Sequence, residues 1–426
     1  VVGTSSGDVP ASAELTRRDE LLRIAGRVFA QAGYAGTSLR DIADAAGILT
    51  GSLYHHFPSK EALAVELISE FQAEMDELAR RPRLESGHPL TDLVEFADKV
   101  GQIAGRHRAA VHMCRRDAPT TATETMTTLV RRKPVALNRR WATLLRAARD
   151  AGTLRAEVDL PVLQAVLPIA VLDLAALVTP LSTSDLVCSL VSQLLHGLTT
   201  EAHSPAELDA SGPARVARER IAGWRPPAAA DESRRGLILA TARDEFARRG
   251  YEATTMRDIA AAAGMRASSI YGHFAAKQEI LAAIMERFSH HLLEGYETVA
   301  AAPGTAVERL DGVFSLMTSA ARLFRHEFMI VKDWWYVLNP PVDAPPVDNA
   351  ARLRIMEEML DEGIRARQFA TPADVSVLAV ALRSLLWVPL TDSGPASSAP
   401  RRHALLRQTL LDGAASPAER SVVKAL

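Results

Sequence analysis

Thr37-Ser38-Leu39-Arg40-Asp41-Ile42-Ala43-Asp44-Ala45-Ala46-Gly47-Ile48-Leu49-Thr50-Gly51-Ser52-Leu53-Tyr54-His55-His56-Phe57 decides the fold, and it occurs twice. It returns as Thr254-Thr255-Met256-Arg257-Asp258-Ile259-Ala260-Ala261-Ala262-Ala263-Gly264-Met265-Arg266-Ala267-Ser268-Ser269-Ile270-Tyr271-Gly272-His273-Phe274. The register has no gap, since Gly47 to Gly264 and Phe57 to Phe274 are both separations of 217 residues. A repeat of this length is one domain used twice.

Each copy reads as helix, turn, helix. Ser38 is placed to cap a short helix, with Asp41 completing a capping box, and Thr255 with Asp258 repeats the arrangement. Ile42, Ala45 and Ala46 give that helix an apolar face, and Gly47 ends it where a positive φ is needed. A second short helix follows from Thr50 to His56, with Leu53 and Phe57 facing inward and Thr50, Gly51 and His55 facing out. Two short helices crossing at a glycine turn set a protruding helix into a DNA major groove.

The pattern Thr-[Ser/Thr]-[Leu/Met]-Arg-Asp-Ile-Ala followed by Ala-Gly-x-x-x-x-Ser-[Leu/Ile]-Tyr-x-His-Phe-x-x-Lys resembles the DNA-binding domain of TetR-family transcriptional regulators. The family acts as a homodimer of subunits about the size of one repeat. The resemblance therefore implies two subunits fused into one all-α chain, an intramolecular pseudo-dimer. Each unit would be a three-helix helix-turn-helix domain followed by a helical ligand and dimerisation domain. On the matched pattern Tyr54 and Tyr271 give hydroxyls to phosphate, and Lys60 and Lys277 contact the backbone electrostatically. Thr37, Thr254, Arg40 and Arg257 are further phosphate candidates, contacts that position a protein without reading sequence.

Base readers are expected among the exposed residues that differ between copies. The first copy offers Leu49, Thr50, Gly51 and His55, and the second offers Arg266, Ala267, Ser268 and Gly272. Thr50 suits a thymine methyl, Gly51 allows close approach, and Arg266 suits a bidentate contact to guanine. Unlike readers predict a double-stranded operator whose half-sites differ, about one helical turn apart.

The chain has 426 residues, 48% hydrophobic but only 5% aromatic, a composition suited to several helical domains rather than one. Formal net charge is −2, so DNA contact must come from local basic placement. Cys114 and Cys188 are the only cysteines, which excludes a disulfide framework and fits a cytoplasmic protein. Val1 to Ala13 lacks the pattern of a signal peptide and reads as disordered. The longest apolar stretch, Val162 to Val178, contains Pro168 and Asp173 and reads as a buried helix, not a membrane span.

The domain boundaries expected are 14–60 for the first reader, 61–202 for its helical body, 203–232 for a linker, 233–277 for the second reader and 278–415 for its body. Arg17 and Arg18 open the first helix and stand near where a phosphate would run. In the first body, helices are expected over Thr91–Arg108, Thr120–Asp150, Leu160–Val178 and Ser184–Glu201. The Pro- and Ala-rich linker carries at most a short helix at Ala214–Ile221. Pro340, Pro341, Pro345 and Pro346 interrupt the second body with a loop that the first lacks. In the family, the last two helices of each subunit form a four-helix bundle with their twins, and the resemblance implies that role here.

For an effector, the first body offers a cationic, aromatic-edged set including Arg115, Arg140 and Trp141, suited to an acyl-CoA. The second offers an apolar set including Phe328, Trp334, Trp335 and Tyr336. The stretch Ala46 to Phe57 is similar to that of actinobacterial TetR repressors of steroid catabolism, whose effectors are steroid-derived CoA thioesters. Because the linings differ, the two halves are expected to differ in affinity.

Catalysis finds no support: there is no phosphate-binding glycine loop, metal-spaced cluster or nucleophile elbow, and no cofactor is implied. The reading is a ligand-responsive repressor. An activator, a regulator using one reader, and a sensing scaffold without DNA binding are the alternatives.

Overall fold

The computed structural model describes residues 16–81, 87–114, 122–177, 179–224, 233–251, 253–335, 349–371, 373–386 and 398–416. The N-terminal segment before Thr16 and the proline loop at 340–346 lie outside them. Among the described residues the chain is helical, with isolated bridges and no strand.

The first reader is α1 (Arg17–Gly36), α2 (Leu39–Ala45) and α3 (Thr50–His56), and α4 (Lys60–Arg80) carries it into the body. The body comprises α5 (Pro89–Arg106), α6 (Arg108–Met113), α7 (Glu124–Arg131), α8 (Val135–Asp150), α9 (Leu160–Ala175) and α10 (Thr183–His196). Between the copies lie α11 (Pro205–Ala210) and α12 (Gly212–Gly223). The second reader is α13 (Arg234–Arg249), α14 (Met256–Ala262) and α15 (Ala267–Tyr271), followed by α16 (Lys277–Ala300). Its body is α17 (Ala306–Leu323), α18 (Arg325–Trp335), α19 (Asn349–Arg365), α20 (Val375–Leu386) and α21 (Ala399–Leu406), which runs into a π-helical turn, Arg407–Leu411. The separation of 217 residues persists well beyond the readers, to α5 against α17 and the starts of α6 and α18.

The local signals act as read. Ser38 and Asp41, and Thr255 and Asp258, form reciprocal capping boxes. Gly47 and Gly264 turn the chain at φ +66° and +65°. Gly33, at φ 73°, breaks the helical path inside α1. Ser59 caps α4 by accepting from the Ala62 N–H.

Three expectations need correction. The helix expected over Thr120–Asp150 is two, because Pro134 stands between α7 and α8 and cannot continue a helical ladder. The helix expected to reach Glu201 stops at His196, where Gly197 adopts φ 74°. The presumed linker is largely folded. Ser204 and Ser211 cap α11 and α12, α12 lies along α16 and α17, and Trp224 at its end is buried. Gly212 packs so closely on the Pro303 carbonyl that a Cβ would stand 2.5 Å from its oxygen. Residues 204–224 therefore belong to the second body.

The two halves meet through their last helices. α10 packs on α20 and on the π-helical turn, and α9 packs on α20 and α21. α9 is apolar around most of its surface, and these neighbours cover it. The main chain then locks the junction: Leu198 N–H donates to Leu410 O at 2.8 Å, Ala414 N–H to Leu194 O at 2.8 Å, and Ala370 N–H to Leu198 O at 2.8 Å. Gly197 and Gly413 meet face to face, each leaving no room for a Cβ against the other strand of chain.

Candidate nucleic-acid interface and effector body

The reader frame is built by burying one face of each short helix. Ile42, Leu53 and Phe57 are fully buried in the first copy, as are Ile259, Ile270 and Phe274 in the second. What remains outside is the candidate interface. Tyr54 is 53% exposed and Tyr271 56%, an unusual exposure for side chains that have a core within reach. Gly51 and His55 on α3, and Arg266 and Ser268 at the start of α15, are exposed, while Thr50 and Ala267 are half-buried. Leu49, the residue before α3, is 81% exposed. Its counterpart is Arg266, so the two readers present an aliphatic and a cationic group at the same place.

Arg40 and Arg257 are both exposed on the second helix of the frame. Arg40 lies 3.8 Å from Asp44, an exposed pair worth little and easily exchanged. The position matching Asp44 is Ala261 in the second copy, so Arg257 lacks that neighbour.

Two pairs in the predicted phosphate set are placed otherwise. Thr37 and Thr254 are buried, and their hydroxyls donate to the carbonyls of Gly33 and Gly250 at 2.7 and 2.8 Å. These bonds fasten the turn after a positive-φ glycine, so neither hydroxyl faces a phosphate. Lys60 donates to the carbonyls of Tyr34 and Thr37, both at 2.8 Å, with its ammonium 4.4 Å from the Tyr34 ring centre. Lys277 donates to the Tyr251 carbonyl at 2.7 Å and sits 4.1 Å from that ring. Burial lowers the Lys60 pKa. Both lysines pin the turn after the first helix to the start of α4 or α16, and so set the angle of the reader rather than standing out as point charges.

The residue pair Arg18 and Arg235 has a structural task that the sequence reading missed. Arg18 stacks on Phe57 at 4.5 Å and pairs through both guanidinium nitrogens with Glu66, while Arg17 pairs with Glu20. Arg235 stacks on Phe274 at 4.1 Å and donates to the His273 carbonyl at 3.1 Å. The identical arginine at a separation of 217 residues was the available signal.

In the first body Trp141 is fully buried, edge-on to Phe96 at 4.9 Å, with Arg140 6.0 Å from the Phe96 ring. The Trp141 Nε1 and the Nε atoms of Arg140 and Arg108 are buried without hydrogen-bond partners. His107 and Glu74 form a polar pair at 2.7 Å nearby on α4 and the turn after α5. A polar groove of about 310 Å³ between α4 and α7 is lined by Gln72, Asp76, Arg80 and Arg132 and includes neither Arg140 nor Trp141. In the second body Phe328 is buried against Phe288 at 5.2 Å. Arg115, Tyr336 and the side chains of Trp334 and Trp335 lie outside the described residues. No group of metal-binding side chains and no helix long and apolar enough to cross a membrane occurs among the described residues.

The family described as bacterial regulatory proteins, tetR family, matches residues 21–67 and 238–284, the two reader frames. The chain is 33% identical over 147 residues to the HTH-type transcriptional repressor KstR2 of Mycobacterium tuberculosis, spanning 34% of this chain and 72% of that protein. It is 55% identical over 64 residues to KstR2 of Mycolicibacterium smegmatis, a match that spans 15% of this chain and only 31% of the relative. A solved structure of the ketosteroid transcriptional regulator KstR2 of M. tuberculosis is similar at 28% identity and a TM-score of 0.40, covering 44% of this chain and 97% of that one.

Proposed function

Because the chain belongs to the tetR family of bacterial regulatory proteins and carries the family's DNA-reading unit twice, we propose that it grips one operator as a single-chain pseudo-dimer and represses transcription from it. The observation that carries this reading is the pairing of one frame with two different faces. The capping boxes, glycine turns and stacked arginines recur, while Leu49, Thr50, Gly51 and His55 give way to Arg266, Ala267, Ser268 and Gly272. Such readers suit a nonpalindromic operator. Tyr54, Tyr271, Arg40 and Arg257 supply phosphate contacts, and the exposed loop-to-helix residues read bases.

A single chain suffices in this reading because the apolar faces of α9, α10 and α20 are already covered within it. An apolar or acyl-CoA-like effector is expected to enter a body and move α4 or α16, each of which starts at the lysine that pins its reader. Release follows only if the effector binds the wrongly spaced state more tightly than the DNA-competent one.

Selection of bound duplexes from random oligonucleotides, with sedimentation of the complex, tests the proposal. The expected result is one chain on two unlike half-sites, with affinity falling steeply as salt rises through counterion release. An inverted repeat bound by two chains refutes it.

A further inference from the structure

The preserved register permits a position-by-position comparison of the two bodies. Where the second copy has Tyr296, Phe314, Phe324 and Phe328, all buried, the first has Ala79, Ala97, His107 and Val111. The second copy's rings pack on one another and on Phe288, with Phe288–Phe324 at 5.7 Å and Phe288–Phe328 at 5.2 Å. Trp224, delivered by α12, adds to the cluster edge-on to Phe324 at 5.5 Å and stacked on His291 at 6.2 Å. The buried arginines of this body, Arg352 and Arg383, are engaged by partners.

The first body is the opposite case. Its matching positions are small or polar, and the Trp141 indole N–H is wholly buried without an acceptor, as are the Nε atoms of Arg140 and Arg108. Native interiors rarely leave such donors unmade, because desolvation then goes uncompensated. A ligand acceptor would complete them.

We propose that the chain takes one effector, in the first body only, and that the ligand is an apolar molecule with an anionic or carbonyl acceptor facing Trp141 and Arg140. The second body is a packed support closed by its own aromatic rings and Trp224. This rests on the reading that the protein senses an effector. One half therefore receives the signal, and the junction of α9, α10, α20 and α21 passes it to the other.

Calorimetric titration of the full chain with anilinonaphthalene sulfonate, an apolar probe bearing an anionic acceptor, tests the inference. The expected stoichiometry is one per chain. Trp141→Phe, which keeps the ring and removes the N–H, should weaken binding about tenfold, the scale of one buried hydrogen bond, with the circular dichroism spectrum unchanged. Phe314→Ala combined with Phe328→Ala should open the second body and raise the stoichiometry towards two. If that variant fails to fold, the wild-type count and Trp141→Phe still decide. Two equivalent sites in the wild type, or one site indifferent to Trp141→Phe, overturn the one-sided assignment. Absence of any binding overturns the effector reading itself, and this inference with it.

Discussion

Replacing Glu327 by glutamine should stabilise the protein at pH 8 and leave it nearly unchanged at pH 5. Glu327 sits on α18 where that helix packs on α13, the first helix of the second reader, and only 1% of it is exposed. Its nearest cation, Arg243, is 3.9 Å away, beyond hydrogen-bond reach, and its Oε1 has no hydrogen-bond partner. The equivalent positions in the first copy are Ala110 and Gly26, so this charged junction exists on one side only. Burial pushes the Glu327 carboxyl from its ordinary 4.5 up to about 7, with Asp244 adding to the rise and Arg243 and Arg287 opposing it. A carboxyl whose folded pKa is raised holds its proton in the folded state when the unfolded chain has lost it. Stability is then fully present below pH 4.5 and falls as pH rises towards 7. At 1.36 kcal/mol per pH unit, the displacement is worth about 3 kcal/mol. Urea unfolding followed by circular dichroism at both pH values measures it, with the gain in the variant appearing at pH 8. An equal effect at the two pH values, or a loss at pH 8, refutes the reasoning.

Arg266→Ala should relax base preference in one half-site only, at a cost of about 1–3 kcal/mol; binding measured on duplexes altered in each half-site separately checks this, and equal loss in both refutes it. Ser38→Ala and Thr255→Ala each remove the side-chain half of a capping box and should lower stability by about 1 kcal/mol in thermal or urea unfolding. Gly413→Ala places a Cβ 2.4 Å from the His196 carbonyl carbon at φ +83°. It should loosen the junction between halves, read as faster amide exchange at Leu198 and Ala414 than in the reader helices.

The repeat, the reader frame and its turns were legible in the sequence because each depends on neighbours in the chain. Ser38 and Asp41 lie within one helical turn, and Gly47 needs only its own backbone freedom, so residue type alone settles them. The same holds for the exposed faces of α3 and α15, which follow from helical spacing once Leu53 and Ile270 are turned inward. What tertiary structure decided depends on contacts distant in sequence. Nothing local to Thr37 says that its hydroxyl turns to Gly33, or that Lys60 reaches back to Tyr34 and Thr37. Residues 204–224 read as a linker because their partners, α16 and α17, lie far along the chain, and only their packing turns a Pro- and Ala-rich segment into part of a core. The unsatisfied Trp141 N–H is of the same kind, since an indole looks identical in sequence whether its donor is met or not. Burial and the positions of all surrounding groups decide that, and they exist only once the chain has folded.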